Sequence, residues 1–232
     1  MKTEGGTTEQ KRRAGEAAAA HVEDGMVVGL GTGSTAAHAI RALGSTVDGG
    51  CEIHGVATSF ASKMLAREVG IPLRSLDTVE ELDLTIDGAD QVVTETGACI
   101  KGGGAAHARE KIVASISSEL FIVADPSKVT ETLDRSVPIE VLPAARTSVT
   151  AALTKHGGTA TLREATKKDG PVVTDNGNFV LDCSFGAIGG PRSLGETLSS
   201  IPGVVEHGLF TGLATAVYVG TAKDVTCYEI DR

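Results

Sequence analysis

Short apolar runs alternate with longer amphipathic stretches along the first half of the chain, and this alternation predicts its elements. Residues 11–24 read as a helix, favoured by Ala14 and Ala17 to Ala20 and ended by Asp24-Gly25. Residues 26–30 make a short buried strand followed by a Gly-rich turn. The next helix, 34–43, carries Ala36, Ala39, Ile40 and Leu43 at helical spacing and stops at Gly44. The same rhythm predicts strand at 52–57, helix at 59–69, strand at 82–86, helix at 105–116 and strand at 120–124. Strands and helices that alternate through short connections imply an α/β fold, a parallel-sheet main domain in three layers wrapped by helices.

After about residue 128 the rhythm changes. Residues 137–141 are strand-like and 146–155 helical, while 171–173 and 179–182 flank the turn Asp175-Asn176-Gly177-Asn178, a strong hairpin signal. A further helix at 193–200 precedes Pro202-Gly203. This order predicts a small α+β module of split βαβ, ferredoxin-like type. Two strands, 216–219 and 225–230, close the chain and return to the first sheet. The predicted organisation is therefore a larger domain of residues 1–130 plus 208–232, with residues 131–207 inserted as a smaller, lid-like domain.

Composition narrows the partners. A net charge of −9 on 232 residues repels nucleic-acid backbones, and the longest basic run is only Lys11-Arg12-Arg13. With no Trp, 2 Tyr and 5 Phe, base stacking is also a poor binding mode. Apolar runs are too short for a membrane span, and residues 1–10 are polar with no secretory h-region. The four cysteines, Cys51, Cys99, Cys183 and Cys227, are scattered, which implies reduced thiols and a cytoplasmic address. The expected partner is a small molecule, with neither nucleic acid nor membrane involved.

Four stretches carry chemistry. Gly29-Leu30-Gly31-Thr32-Gly33-Ser34-Thr35 joins a strand to a helix, where free N–H groups and three hydroxyls suit a phosphate monoester. A dinucleotide site is the rival reading, but the required acid has only Glu52 as a candidate, at the wrong end of its strand. A capped Gly-rich turn also fits. The second stretch, Asp87-Gly88-Ala89-Asp90, sets two carboxylates at the carboxyl end of a buried strand. They could hold sugar hydroxyls, move protons, stabilise a β-turn or bind magnesium. In the third, Lys101-Gly102-Gly103-Gly104 runs into a helix that carries Arg109-Glu110-Lys111, so aimed donors form an oxyanion site. Glu110 has Ala106, His107, Val113 and Ala114 as helical neighbours, a mostly apolar setting that raises a carboxylate's pKa. An exposed Glu on an amphipathic helix is the plainer alternative. The fourth, Asp125-Pro126-Ser127-Lys128, reads either as a helix cap or as a lysine reaching the same cleft. The six histidines are dispersed without metal-ligand spacing.

Together these stretches resemble the type A ribose-5-phosphate isomerase family: GTGST at 31–35, DGAD at 87–90, KGGG with REK at 101–104 and 109–111, and D-x-S-K ending at Lys128. The resemblance extends to Lys11 and to residues 203–210. It implies an aldose–ketose isomerase that interconverts ribose 5-phosphate and ribulose 5-phosphate without cofactor or metal, as a homodimer or homotetramer. On that resemblance Glu110 is the base shuttling a proton between C2 and C1 through an enediolate. Asp87, Asp90 and Lys101 bind the sugar and assist ring opening, with Gly88 and Ala89 between the two carboxylates. Gly102, Gly103 and Gly104 stabilise the enediolate oxygen, Thr32, Gly33, Ser34 and Thr35 hold substrate, and Lys11 and Lys128 are nearby binding groups. Gln91 stands where many members carry Glu, and His107-Ala108 replace a more apolar pair. A phosphosugar-sensing regulatory module and an amino-sugar phosphate deaminase are the rival readings.

Overall fold

The computed structural model describes residues 5–231, so the first four residues of the polar stretch 1–10 lie outside it. The first part of the chain forms α1 (Thr8–Ala19), β1 (Val27–Leu30), α2 (Ala36–Asp48), β2 (His54–Ala57), α3 (Phe60–Glu68) and β3 (Leu82–Gly88). Two short strands follow, β4 (Gln91–Val92) and β5 (Cys99–Ile100), then α4 (His107–Ser115) and β6 (Ser117–Ala124). Next come β7 (Val137–Val141), α5 (Arg146–Lys155), β8 (Thr159–Leu162), β9 (Phe179–Ser184), α6 (Pro191–Ser199) and β10 (Val204–His207). The chain closes with β11 (Leu209–Phe210), β12 (Ala216–Gly220) and β13 (Val225–Glu229).

The central sheet has the order β13-β12-β6-β3-β1-β2, parallel throughout except for the antiparallel edge strand β13. Side chains alternate across it, as strand geometry requires. Phe121 and Val123 of β6 meet Ala14 and Ala18 of α1 and Leu43 of α2 on one face. Leu120, Ile122 and Ala124 meet Ala114 of α4, and Val92, Cys99 and Phe210 of the β11-β5-β4 ladder, on the other. These are the three layers. The chain passes from β1 to β2 on one side and then to β3 on the other. The switch point, where open α/β sheets bind ligands, therefore lies beyond the carboxyl ends of β1 and β3.

The second sheet runs β10-β7-β9-β8, all antiparallel. With α5 and α6 it makes the βαββαβ order of a ferredoxin-like unit around a core of Val137, Ile139, Val149, Leu153, Leu181 and Leu198, which Ala98, Ile100 and Leu209 join from outside the unit. Its hairpin is shorter than expected: Val173 pairs with Phe179 across the turn as an isolated bridge, Pro171 bridges to Glu164, and β9 forms its ladders with β7 and β8.

Two helix bounds also differ. Helix α1 starts earlier because Thr7 and Gln10 form a capping box, Thr7 Oγ1 accepting from Gln10 N at 3.2 Å and Gln10 Oε1 from Thr7 N at 2.7 Å. Helix α2 does not stop at Gly44 but runs through it to Asp48. A Cβ at Gly44 would lie 2.5 Å from Val69 Cβ, so this glycine serves helix packing at about 1 kcal/mol of helix propensity.

Candidate active site

Three strand ends and one loop build the site. Beyond β1, the chain turns through Gly33 at φ +126° and enters α2 with Thr35 as N-cap. Gly31 must be glycine, because a Cβ there would fall 2.2 Å from Asp87 Oδ1. Thr32 N donates to that oxygen at 3.0 Å, which ties the first loop to the end of β3. Thr32 Oγ1 lies 2.7 Å from both Thr58 Oγ1 and Ser59 Oγ, beyond β2. The N-terminus of α2 opens on the cleft, a favourable place for a phosphate.

Asp87 is almost fully buried. Its Oδ1 accepts from Thr32 N and Gly88 N, and its Oδ2 lies 2.9 Å from Lys101 Nζ. Lys101, also buried, donates to Gly88 O at 2.6 Å and lies 3.3 Å from Glu110 Oε2. One ammonium thus faces two buried carboxylates. Burial disfavours its charge, but Asp87 and then Glu110 outweigh that and hold Lys101 charged well above the ordinary lysine range. Glu110 goes the other way: burial first, then the neighbouring charge of Asp87, push its pKa up to about 8 against the pull of Lys101. Burial raises Asp87 as well, opposed by Lys101 and the two backbone donors. A carboxyl group poised near neutrality beside a fixed cation is suited to taking and returning a proton.

The Lys101–Gly104 loop supplies the remaining wall. Gly103 N donates to Asp90 Oδ2 at 2.7 Å, and a Cβ at Gly103 would collide with that carboxylate. Gly102 (φ +102°) and Ala105 (φ +59°) both take left-handed backbone. The cleft encloses about 90 Å³ and is lined by Thr32, Gly33, Ser34, Thr35, Gly88, Ala89, Asp90, Lys101, Gly102, Gly103, Gly104, Glu110 and Lys128. All four predicted stretches meet there. A larger groove of about 870 Å³, between Phe60, Lys63, Arg74 and Arg109, holds none of the Lys101–Glu110–Asp87 arrangement and approaches the cleft through Ser59.

Two predicted residues differ in standing. Lys128 reaches the cleft although Asp125 also caps its short helical turn, accepting from Ser127 N at 2.9 Å, so both readings of that stretch hold. Burial lowers the pKa of Lys128, against Asp125. Lys11 lies on α1 outside the lining residues, close enough for its charge to bear on Lys128.

The two departures from the family pattern have structural uses. Gln91 is buried and joins the chain at Asp134 and Arg135, donating to Asp134 Oδ1 at 2.6 Å and accepting from both backbone N–H groups. His107 is fully buried beneath Gly102, with its Nε2 3.3 Å from Glu206 O. Burial, with Arg163 and Lys111 nearby, lowers its pKa to about 3 and keeps it neutral.

Sequence reasoning missed Thr58 and Ser59, for which the cap at the start of α3 was the available signal, and it missed Arg163. Arg163 enters from the end of β8 and donates to Gly102 O at 2.8 Å. Its polar surroundings, residues 163–170, carry no pattern that could have singled it out. Among the described residues, no group of three or more His, Cys, Asp or Glu side chains is placed to hold a metal ion.

Fold and site together define the class: an α/β protein whose carboxyl-end cleft is equipped for an anion and for proton transfer. Residues 54–224 match the profile of the family described as ribose 5-phosphate isomerase A (phosphoriboisomerase A). Ribose-5-phosphate isomerase A of Halorubrum lacusprofundi is 60% identical, covering 97% of this chain and 98% of the relative. That of Haloarcula marismortui is 57% identical over 99% of each. The solved ribose 5-phosphate isomerase A of Methanocaldococcus jannaschii superposes with a TM-score of 0.91 at 43% identity, covering 95% of this chain and 98% of that one. A D-ribose-5-phosphate isomerase solved in complex with phospho-erythronic acid gives 0.93 at 41% identity over 97% and 100%. The chain belongs to the ribose 5-phosphate isomerase A family.

Proposed function

We propose that the chain interconverts D-ribose 5-phosphate and D-ribulose 5-phosphate through an enediolate, with no metal or cofactor, in the non-oxidative pentose phosphate pathway. The observation that carries this reading is Glu110, buried and raised to about 8, set 3.3 Å from a lysine that also holds Asp87. The phosphate sits at the start of α2, on Thr32, Gly33, Ser34 and Thr35. Asp87, Asp90 and Lys101 bind the hydroxyls and assist ring opening. The Glu110 carboxylate then takes the proton from C2, and the electron pair moves to O1, where Lys101 and the Gly102–Gly104 loop stabilise the charge. Glu110 returns the proton to C1 while the proton of the C2 hydroxyl passes to O1, which leaves the ketose. Lys128 borders the same cleft, and Lys11 contributes positive field from α1.

Residues 131–207 act as a smaller lid-like domain on the larger one formed by 1–130 and 208–232, a division supported by their separate sheet, although Ala98, Ile100 and Leu209 of the larger part share its core. The assembly is a homodimer or homotetramer, as the resemblance implies, and sedimentation velocity reads it directly. The location is cytoplasmic. No helix among the described residues is long and apolar enough to cross a membrane, and all four cysteines are free.

Incubation with ribose 5-phosphate in D₂O tests the reading. Ribulose 5-phosphate carrying deuterium at C1 is the expected product. No ketose, or release of ammonia from an amino-sugar phosphate instead, would overturn it.

A further inference from the structure

Arg163 is a buried charge that the proposed reaction does not use. It follows β8 in the smaller sheet and is only 9% exposed. Asp182 of β9 holds its guanidinium with both oxygens, Nε donating to Oδ2 at 2.8 Å and Nη2 to Oδ1. Although burial opposes ionisation, that pairing keeps the Asp182 carboxyl below its ordinary range, so the fork is anchored to a charge. The remaining nitrogen, Nη1, donates to Gly102 O at 2.8 Å and lies 3.4 Å from Gly103 O.

Peptide planarity turns this into a statement about the other side of the loop. In a trans peptide, the carbonyl of one residue and the N–H of the next point in opposite directions. A cation that grips the carbonyls of Gly102 and Gly103 therefore directs the N–H groups of Gly103 and Gly104 away from the smaller sheet. Gly103 N–H donates to Asp90, which lines the cleft, so that side is the cleft side. Gly104 N–H makes no hydrogen bond to the described residues. Gly102 O also accepts from Ala105 N at 2.9 Å, so Arg163 adds to a turn closed across Ala105, the residue of the loop whose left-handed backbone carries strain. A cation on the carbonyl side also polarises each amide and strengthens its N–H as a donor.

We propose that Arg163, locked by Asp182, is a positioning residue that aims the peptide N–H groups of the glycine loop into the cleft, with Gly104 N–H as the donor to the enediolate oxygen. The inference rests on the proposed isomerase reading and deepens it. The smaller sheet then completes the reaction site from behind, through one side chain, without touching the substrate.

Arg163→Ala, Arg163→Lys and Asp182→Asn test this against wild type. Loss of an aimed oxyanion donor lowers kcat by about 10²-fold or more, whereas KM should stay within about three-fold because the phosphate and hydroxyl contacts are untouched. Lysine keeps the charge but not the fork, so Arg163→Lys should remain impaired. Added guanidinium should restore part of the kcat of Arg163→Ala, which a merely structural loss would not allow. Deuterium exchange at C1 should fall in step with turnover. If Arg163→Ala does not fold, Asp182→Asn, which keeps the arginine but frees its fork, carries the same kcat expectation. Wild type without isomerase activity would overturn the proposed function. An active wild type with Arg163→Ala and Asp182→Asn at unchanged kcat, or with KM rising in proportion and no guanidinium rescue, would overturn this inference alone.

Discussion

Glu110 is where burial and charge are most finely opposed. Glu110→Gln keeps size and most packing but removes proton acceptance. A positioned base contributes roughly 10²–10⁴-fold, so kcat should fall by at least that lower figure while KM changes little. Stopped turnover in an unchanged fold, read by circular dichroism, checks this, with Glu95→Gln as the control. Activity within a few-fold of wild type would move the base to Asp87 or Asp90. The same carboxyl makes a pH prediction. As the proposed base it can act only when ionised, and its pKa is raised to about 8, so kcat/KM should rise with pH and level off above that value. Stability has the opposite sign. A raised carboxyl pKa contributes stability that is complete below its ordinary value of 4.5 and is lost as pH rises through about 8. Glu110→Gln lacks that loss. Its melting temperature should exceed that of wild type by about 2 °C or more at pH 9, with the gap closing towards pH 5. A gap that is absent at pH 9 would mean that Lys101, still held by Asp87 at 2.9 Å, depends on Glu110 for its own stability.

Among elements, the loops after β1, β3 and β6 were legible because each sets glycines or carboxylates directly after an apolar run, where a parallel sheet ends. The strands of the central sheet were legible for the same reason, and Val137–Val141 and Arg146–Lys155 fall where the pattern puts them, whereas the short strands β4, β5, β10 and β11 were not foreseen. What stayed hidden depends on partners far along the chain. Gly44 reads as a helix stop until Val69 is seen against it. Thr159–Leu162 has no apolar run, since its strand pairs at the edge of a sheet with half its side chains outside. Lys101 could not be placed beside Glu110 by helical spacing, because it arrives from the loop before the helix. Ala105 is the same kind of surprise. Left-handed backbone costs a residue with a side chain about 1–2 kcal/mol, partly offset by the unfolded-state freedom that glycine would add. Ala105→Gly should therefore raise the melting temperature by about 2 °C, with kcat reduced at most a few-fold. A lower melting temperature would mean that Ala105 Cβ makes contacts worth more than the strain.

At the scale of the molecule, the cleft lies where two sheets meet without belonging wholly to either. The central sheet supplies the start of α2, the proposed anion end, and the buried carboxylates of β3 and α4. The smaller sheet holds the glycine loop through Arg163 and the far side of α4 through Glu206, which accepts from Lys111 Nζ at 2.6 Å. The proposed phosphate and proton-transfer ends are thus built on different elements and joined by contacts such as Thr32 N to Asp87. In such a layout, binding energy from the non-reacting phosphate serves to position the reacting carbons, and its loss appears in kcat as well as in KM. Free ribose should be isomerised with kcat/KM lower by at least about 10³-fold than its 5-phosphate, with kcat itself reduced. In the proposed reaction Lys101 and backbone donors meet the charge on O1, so the ratio should be the same before and after exhaustive EDTA treatment. Thr35→Ala should narrow the gap between the two substrates by harming only the phosphorylated one. Equal kcat for ribose and ribose 5-phosphate in the wild type would contradict a positioning role for the α2 end. Loss of turnover in EDTA, restored by one added divalent ion, would place a metal between Asp87 and Asp90 and recast Lys101 as its neighbour.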